Sequence, residues 1–198
     1  MLDDGQEIKR ANLATSLNTM MGAGRYEDAL QIFKKNTEAP TSNNINDTNF
    51  VLLAQSRDIP YYRPFPFDWT RHQKRGLQIS AYESIGDAEV KLRWDGRGAP
   101  LMLSQYVNVE VGKNYNLVLT GLDATENIVK RLQFFLNCKS GIVRFDQGRK
   151  DIKTNQLILS SDSTPSCAFP RLEIRGRIQE VRRPNEISLS SLNLLASE

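Results

Sequence analysis

One histidine, His72, and two cysteines, Cys138 and Cys167, are the chain's whole stock of imidazole bases and thiol ligands. A zinc site would have to draw on these three scattered residues plus a carboxylate, with no CxxC or HxxxH spacing to gather them. A Ser-His-Asp site would depend entirely on His72, which has no nucleophile elbow to serve. His72 lies in the polar, basic run Trp69-Thr-Arg-His-Gln-Lys-Arg75, which reads as surface. A glycosidase would need two carboxylates facing one cleft, roughly 5–9 Å apart. Asp68, Asp95, Asp123 and Asp146 are the acids to place for that test. With no acid/base or metal constellation in view, the expectation is a non-enzymatic protein that needs no cofactor and no metal.

Binding chemistry is better supplied. Recognition of a sugar needs an aromatic face for the C–H side of the ring and polar side chains for its hydroxyls. Trp94 is in phase with Val90 and Leu92, which assigns it to the core. Trp69 follows two prolines where a strand begins, and offers either a ring for a ligand or a plug for the end of the core. Asp95-Gly-Arg97-Gly98 is either a hydrogen-bonding loop or a plain turn. Tyr106 is out of phase with the apolar residues of its strand, so its ring points away from the core as a ligand platform. Gln105 is in the apolar phase and is expected to be buried and hydrogen-bonded. The candidate ligand-binding residues are therefore Trp69, Asp95, Arg97 and Tyr106.

Composition narrows the partners. The net charge of +3 is small, and Arg71, Arg75, Arg93, Arg97, Arg171, Arg175, Arg177, Arg182 and Arg183 are interspersed with acids, so no nucleic-acid partner is expected. No apolar run approaches the ~20 residues of a membrane helix, so no membrane insertion is expected either. At 198 residues, with 39% hydrophobic and 25% charged, the chain can build one good core, or one domain plus a small appendage. The opening Met1-Leu-Asp-Asp-Gly-Gln-Glu7 has neither the basic start nor the apolar centre of a signal peptide. It begins abruptly, as a piece of a longer protein would, and so carries little information about location.

Three regions must position these residues. Over 1–40, Leu13, Leu17 and Met20 or Met21 recur at helical spacing, Gly22-Ala-Gly24 breaks the pattern, and Tyr26, Ala29, Leu30 and Phe33 share a face of a second helix. A linker follows over 41–64. It is polar and turn-rich at Thr41-Ser-Asn-Asn-Ile-Asn-Asp-Thr-Asn49, then becomes an aromatic–proline strap from Tyr61 to Trp69 that should dock on the body of the protein. From 65 to 198 the period is two. Leu77, Ile79 and Ala81 alternate, as do Ala88 to Trp94, Leu101 to Val111, Tyr115 to Leu119 and Leu132 to Cys138. Ile142 to Phe145, Leu157 with Leu159, and Leu172, Ile174 and Ile178 continue the pattern. Ile187 and Leu189 are out of phase with Leu192 and Leu194, which predicts a bulge or bend in the last strand. About nine strands joined by short turns, with no helices between them, make the chain mainly β: an antiparallel β-sandwich of the jelly-roll kind preceded by a helical hairpin.

Two resemblances sharpen this. Gly24-Arg-Tyr26-Glu-Asp-Ala29-Leu-Gln-Ile-Phe33 resembles the middle of a tetratricopeptide repeat; a plain helical hairpin packed on the sandwich is the other reading. If the repeat reading holds, the hairpin is the last unit of an array. Further on, the ordered pieces are Asn46-Asp-Thr-Asn-Phe50, Pro66-Phe-Asp-Trp69, Gln105 to Tyr115, Leu132-Gln-Phe-Phe-Leu-Asn-Cys138 and Ser166-Cys167-Ala-Phe-Pro-Arg-Leu172. Together they resemble the carbohydrate-binding-module-like domain that ends bacterial tetratricopeptide-repeat proteins of exopolysaccharide export. The chain departs from that pattern at Asp47-Thr-Asn, where the family has Asn-Gly-Gly, and at Phe134-Phe135, where it has Trp.

The resemblance implies a galactose-binding-type jelly roll that binds polysaccharide or glycan, with a protein partner of the envelope reached through the helical region. The alternative is a protein-interaction or structural cap in an envelope assembly, without sugar binding. Cys138 is in the inward phase of its strand and Cys167 follows Pro165 at the start of another, so they are either two buried thiols or a disulfide. The resemblance favours the disulfide, and with it an oxidising compartment, the periplasm or cell envelope.

Overall fold

The computed structural model describes residues 4–37, 45, 47–55, 64–84, 87–179 and 185–197. Of the strap, Tyr61 and Tyr62 lie outside the described residues. The period-two stretches form strands, and every strand pairing is antiparallel. In chain order they are β1 (Thr70–Arg71), β2 (Leu77–Ser84), β3 (Asp87–Trp94), β4 (Leu101–Tyr106), β5 (Tyr115–Thr120) and β6 (Leu132–Cys138). Then come β7 (Gly141–Phe145), β8 (Gln147–Asp151), β9 (Gln156–Ser160), β10 (Arg171–Gly176), β11 (Asn185–Leu189) and β12 (Ser191–Ala196). They are arranged in three sheets: β1-β4-β10-β6-β7, β11-β3-β2 and β12-β5-β9-β8. Inward residues of all three meet in one core, among them Leu92, Trp94, Leu103, Leu117, Phe134, Phe145, Leu172 and Leu189.

Among the described residues twelve strands stand where about nine were expected. β1 has only two residues, too few to show a period. β8, Gln-Gly-Arg-Lys-Asp, is an edge strand with almost no buried side chain, so it leaves no apolar alternation to read. The third addition is the break in the last strand at Ser190. There β11 pairs with β3, whereas β12 pairs with β5, so one continuous run of chain joins two sheets. The junction is tight. Ser190 N–H donates to the Thr120 carbonyl at 2.9 Å, and a Cβ on Gly121 (φ 135°) would come within 2.8 Å of the Leu189 Cα. Ile178, expected to continue the inward row of β10, is exposed, because the strand ends at Gly176.

The linker also differs from expectation. Val51–Gln55 is a short helix, α3 in chain order, and Ile45, Phe50, Leu53 and Ala54 are buried in the main core. Asp47 holds its first turn, accepting the backbone N–H groups of Leu52 at 3.0 Å and Leu53 at 2.8 Å. Burial pushes the Asp47 carboxyl above its ordinary value, against the pull of those hydrogen bonds.

The helical hairpin comprises α1 (Asp4–Gly22) and α2 (Tyr26–Asn36), joined through Gly24 at φ 78°. That left-handed geometry costs glycine little. Ala14, Leu17, Met21, Ala29 and Phe33 form a small apolar cluster, which is completed from outside the hairpin by Phe65 and Phe67. The Phe33 ring lies 5.5 Å from Phe65 and 5.2 Å from Phe67. Tyr106 and Phe169, from the β-rich part, pack against the same cluster. Asp68, between Phe67 and Trp69, is buried and takes the Arg10 guanidinium at 3.2 Å. No helix among the described residues is long and apolar enough to cross a membrane.

A disulfide joins Cys138, the last residue of β6, to Cys167, with Cα atoms 5.9 Å apart. Cys167 lies in the loop before β10 and not in a strand.

Two stability predictions follow from these contacts. Phe33→Ala should cost about 3–5 kcal/mol in urea unfolding, the usual loss for a buried phenylalanine; a loss below about 1 kcal/mol would mean that the hairpin is not packed on the strap. Replacing both cysteines by alanine opens a loop set by the 29-residue separation. It should lower unfolding free energy by about 3–4 kcal/mol on the chain-entropy account, and an unchanged urea midpoint would show that the bond does not constrain the unfolded chain.

Candidate functional site

Strand alternation that buries Leu172 and Ile174 turns Arg171, Glu173 and Arg175 to the opposite face of the five-stranded sheet. Register then lays a grid across that face. One row runs Thr70, Ser104, Glu173, Phe135, Arg144, from β1 through β4, β10 and β6 to β7. The next row is Tyr106, Arg171, Asn137, Ile142.

Glu173 is the centre of the grid. Although it points away from the core it is only 1% exposed, because its neighbours cover it. Arg171 Nε donates to Oε1 at 2.7 Å, and a second nitrogen of the same guanidinium pairs with that oxygen. Asn137 Nδ2 donates to Oε1 at 3.1 Å. Arg175 binds Oε2 through Nε at 2.8 Å and Nη2 at 2.6 Å. Burial by itself would push the Glu173 carboxyl up, but the bonds from Arg175, Asn137 and Arg171 together outweigh it and hold the group below its ordinary value. Beside it, the Phe135 ring lies between the guanidiniums of Arg144, at 5.9 Å, and Arg175, at 5.8 Å.

Two clefts open where this face meets the hairpin. The larger, of about 630 Å³, has the α1–α2 turn on one side and the disulfide, Asn137, Lys139 and Ser140 on the other. Tyr26, Tyr106 and Phe169 supply its aromatic surface. Tyr26 stacks on Phe169 with centroids 5.7 Å apart and lies 6.2 Å from Tyr106. The smaller cleft, of about 330 Å³, is lined by Thr70, His72, Ser104, Gln105 and residues of the strap. Tyr106 and Arg171 line both.

His72 is half-buried here, a correction to its reading as a surface residue. Its backbone N–H extends the β1–β4 ladder to the Met102 carbonyl at 2.9 Å, which brings Nε2 within 2.8 Å of the Ser104 hydroxyl. Burial, and then the positive field of Arg171, hold its pKa below the ordinary value and favour the neutral ring. No carboxylate among the described residues is hydrogen-bonded to the other ring nitrogen, so the pair lacks the third member that orients and charges a Ser-His dyad.

Of the four candidate ligand residues, only Tyr106 lies at these clefts, on the outward face as its phase predicts and partly covered by α2. Trp69 is 2% exposed, packs on Phe50 at 5.6 Å and donates Nε1–H to the Asp47 carbonyl at 3.1 Å. It is core, and the ligand role is withdrawn. Asp95 and Arg97 form a turn away from these clefts: Asp95 accepts the Arg97 backbone N–H at 3.0 Å and faces its guanidinium at 3.8 Å. Asp95 lines a separate depression with Gly76, Gln78 and Arg93.

The four acids to be placed each have a partner away from the clefts. Asp68 pairs with Arg10, Asp95 closes its turn, Asp123 accepts the Ser188 N–H at 2.8 Å, and Asp146 faces Arg144 at 3.7 Å. None of them lines either cleft. Among the described residues no cluster of three or more His, Cys, Asp and Glu side chains is placed to hold a metal ion. The residues missed by the sequence reading are Tyr26, Asn137, Phe135, Glu173 and Phe169, together with the role of Arg171 and Arg175. The signal for the last three charges was available in Arg171-Leu-Glu-Ile-Arg175, where charges alternate with core residues.

The depressed Glu173 value has a definite pH consequence. An acid held below its unfolded value stabilises the fold above that value, 4.5 for glutamate, and loses the contribution as pH falls through the folded value. The urea midpoint of the wild type should therefore drop on acidification through and below 4.5, and Glu173→Gln should remove part of that drop. Parallel pH curves for the two proteins would contradict the assignment.

A scan of the chain against protein-family models matches none of them, and a search of curated proteins finds no match.

Proposed function

We propose that the chain is a non-catalytic carbohydrate-binding module, its sheets packed as a jelly-roll β-sandwich, in a repeat-containing protein of the bacterial envelope. The observation that carries this reading is the larger cleft, where the rings of Tyr26, Tyr106 and Phe169 converge with the Asn137 amide and the Arg171 guanidinium. Sugar rings present an apolar C–H face and a polar edge, and a pocket joining aromatic carbon to fixed amide and guanidinium donors meets both requirements. Asn137 and Arg171 are held in place by Glu173, so little side-chain entropy is lost when they bind.

The hairpin fits the last repeat of a tetratricopeptide array, since it buries its apolar face on the strap and the sheet and leaves α1 a largely polar outer surface. The disulfide suits an oxidising compartment, which supports the periplasm or the cell envelope. The rival reading, a cap that binds protein, asks for a contiguous apolar patch. The exposed large hydrophobics among the described residues each occupy a different element or loop: Leu52, Tyr82, Val111, Leu122, Ile142, Ile152, Ile178 and Leu195.

The test is a glycan array of neutral and acidic bacterial polysaccharides, followed by an NMR titration with any hit. Shifts should concentrate at Gly24–Asp28, Asn137–Ser140 and Cys167–Arg171. An array without a hit, or shifts confined to another surface, would remove this reading.

A further inference from the structure

The charges around the clefts narrow the class of sugar. The outward face of the five-stranded sheet carries three guanidiniums, Arg144, Arg171 and Arg175, around the carboxylate of Glu173. Glu173 is buried and takes two of them, so a carboxylate of charge −1 meets two full positive charges. The surplus is presented to solvent: the side chains of Arg171 and Arg175 are 37% and 35% exposed, against 1% for Glu173. The nearby acid Asp146 faces Arg144 at 3.7 Å in an exposed pair and offsets that charge, so the surplus on this face is the one left by Arg171 and Arg175 against Glu173.

The cleft walls follow the same pattern. The smaller cleft has Arg171 and no acidic residue in its lining. In the larger one Arg171 and Lys139 stand on the sheet side, while the acids Glu27 and Asp28 belong to the helical rim, where Arg25 takes Asp28 at 2.9 Å. Arg171 is the charged residue common to both. It commits Nε and one terminal nitrogen to Glu173, which fixes the plane of the guanidinium and leaves the other terminal nitrogen for an incoming acceptor. Neutral hydroxyls do not need such a surplus. A carboxylate does, and gains a charge-assisted bond from a donor already oriented.

We propose that the face binds an acidic polysaccharide, a chain bearing uronic-acid carboxylates, and that Arg171 receives the carboxylate where the two clefts meet. This rests on the glycan-binding reading and goes beyond it by naming the ligand class and the residue that selects it. Glu173 is then a positioning residue, holding Arg171 in place.

The experiment uses the full chain and a panel of oligouronates of different linkage, each paired with its carboxyl-reduced, neutral counterpart. Calorimetry should find at least one oligouronate that binds, with its reduced counterpart weaker by about tenfold or more, the worth of one charged hydrogen bond. Affinity should fall as salt is raised. Arg171→Gln should abolish the difference between acidic and reduced forms while still binding both weakly. Equal binding of the two forms by the wild type overturns the inference and leaves the glycan reading standing. Absence of binding to every acidic and neutral glycan removes both. Because the reduced counterparts test the charge without any substitution, the inference remains falsifiable if Arg171→Gln fails to fold.

Discussion

The ring of Phe33, set against Phe65 and Phe67, ties the two parts of the chain together, and the candidate site exists because of that contact. A two-helix hairpin has too little apolar surface to stand alone. It gains what it lacks from a segment whose aromatics are shared between two cores. Phe65 and Phe67 complete the hairpin cluster, and Trp69, two residues on, is buried in the main core. Prolines at 64 and 66 restrict the unfolded segment, so less entropy is lost on ordering it. With the hairpin held there, its turn overhangs the outward face of the sheet, and Tyr26 meets Tyr106 and Phe169 across what becomes the larger cleft.

The second constraint is electrostatic. Burying a carboxylate on a sheet face costs several kcal/mol unless charged donors replace the lost water. Around Glu173 they do so twice over, with an amide as well, and the group remains ionised below its ordinary pKa. Two guanidiniums on one carboxylate leave an excess of positive charge that a one-to-one ion pair would not. On the proposed function the rigidity of this arrangement serves recognition, since guanidiniums anchored from beneath keep their orientation.

The chain reaches this arrangement through two long-range connections. The run through Ser190 belongs to one sheet before the break and another after it, so the sheets share a core without a separate linker. The Cys138–Cys167 bond fixes the end of β6 to the loop that carries Phe169, the stacking partner of Tyr26. The aromatic wall of the larger cleft is thus attached to the sheet covalently on one side and by hydrophobic packing on the other.

Local order was legible in the residues themselves. Apolar alternation marked most strands, the phase change between Leu189 and Leu192 marked the break, and Gly24 marked the helical turn, because each of these is set by neighbours along the chain. Even the outward direction of Tyr106 followed from its phase. What covers Tyr106 did not, since that depends on where the hairpin lands. α3 was hidden because five residues are too few to show a helical period, and Ile45, Phe50 and Leu53 become core only when the β-rich part is there to receive them. The pairing of β8 was hidden because an exposed edge strand has no apolar rhythm. The site itself was least visible. Arg171, Glu173 and Arg175 alternate in plain view, but their meaning depends on Asn137 and Phe135 from β6, Arg144 from β7 and Ser104 from β4. Only antiparallel register across four strands brings those side chains to one surface, and register is a property of the folded sheet.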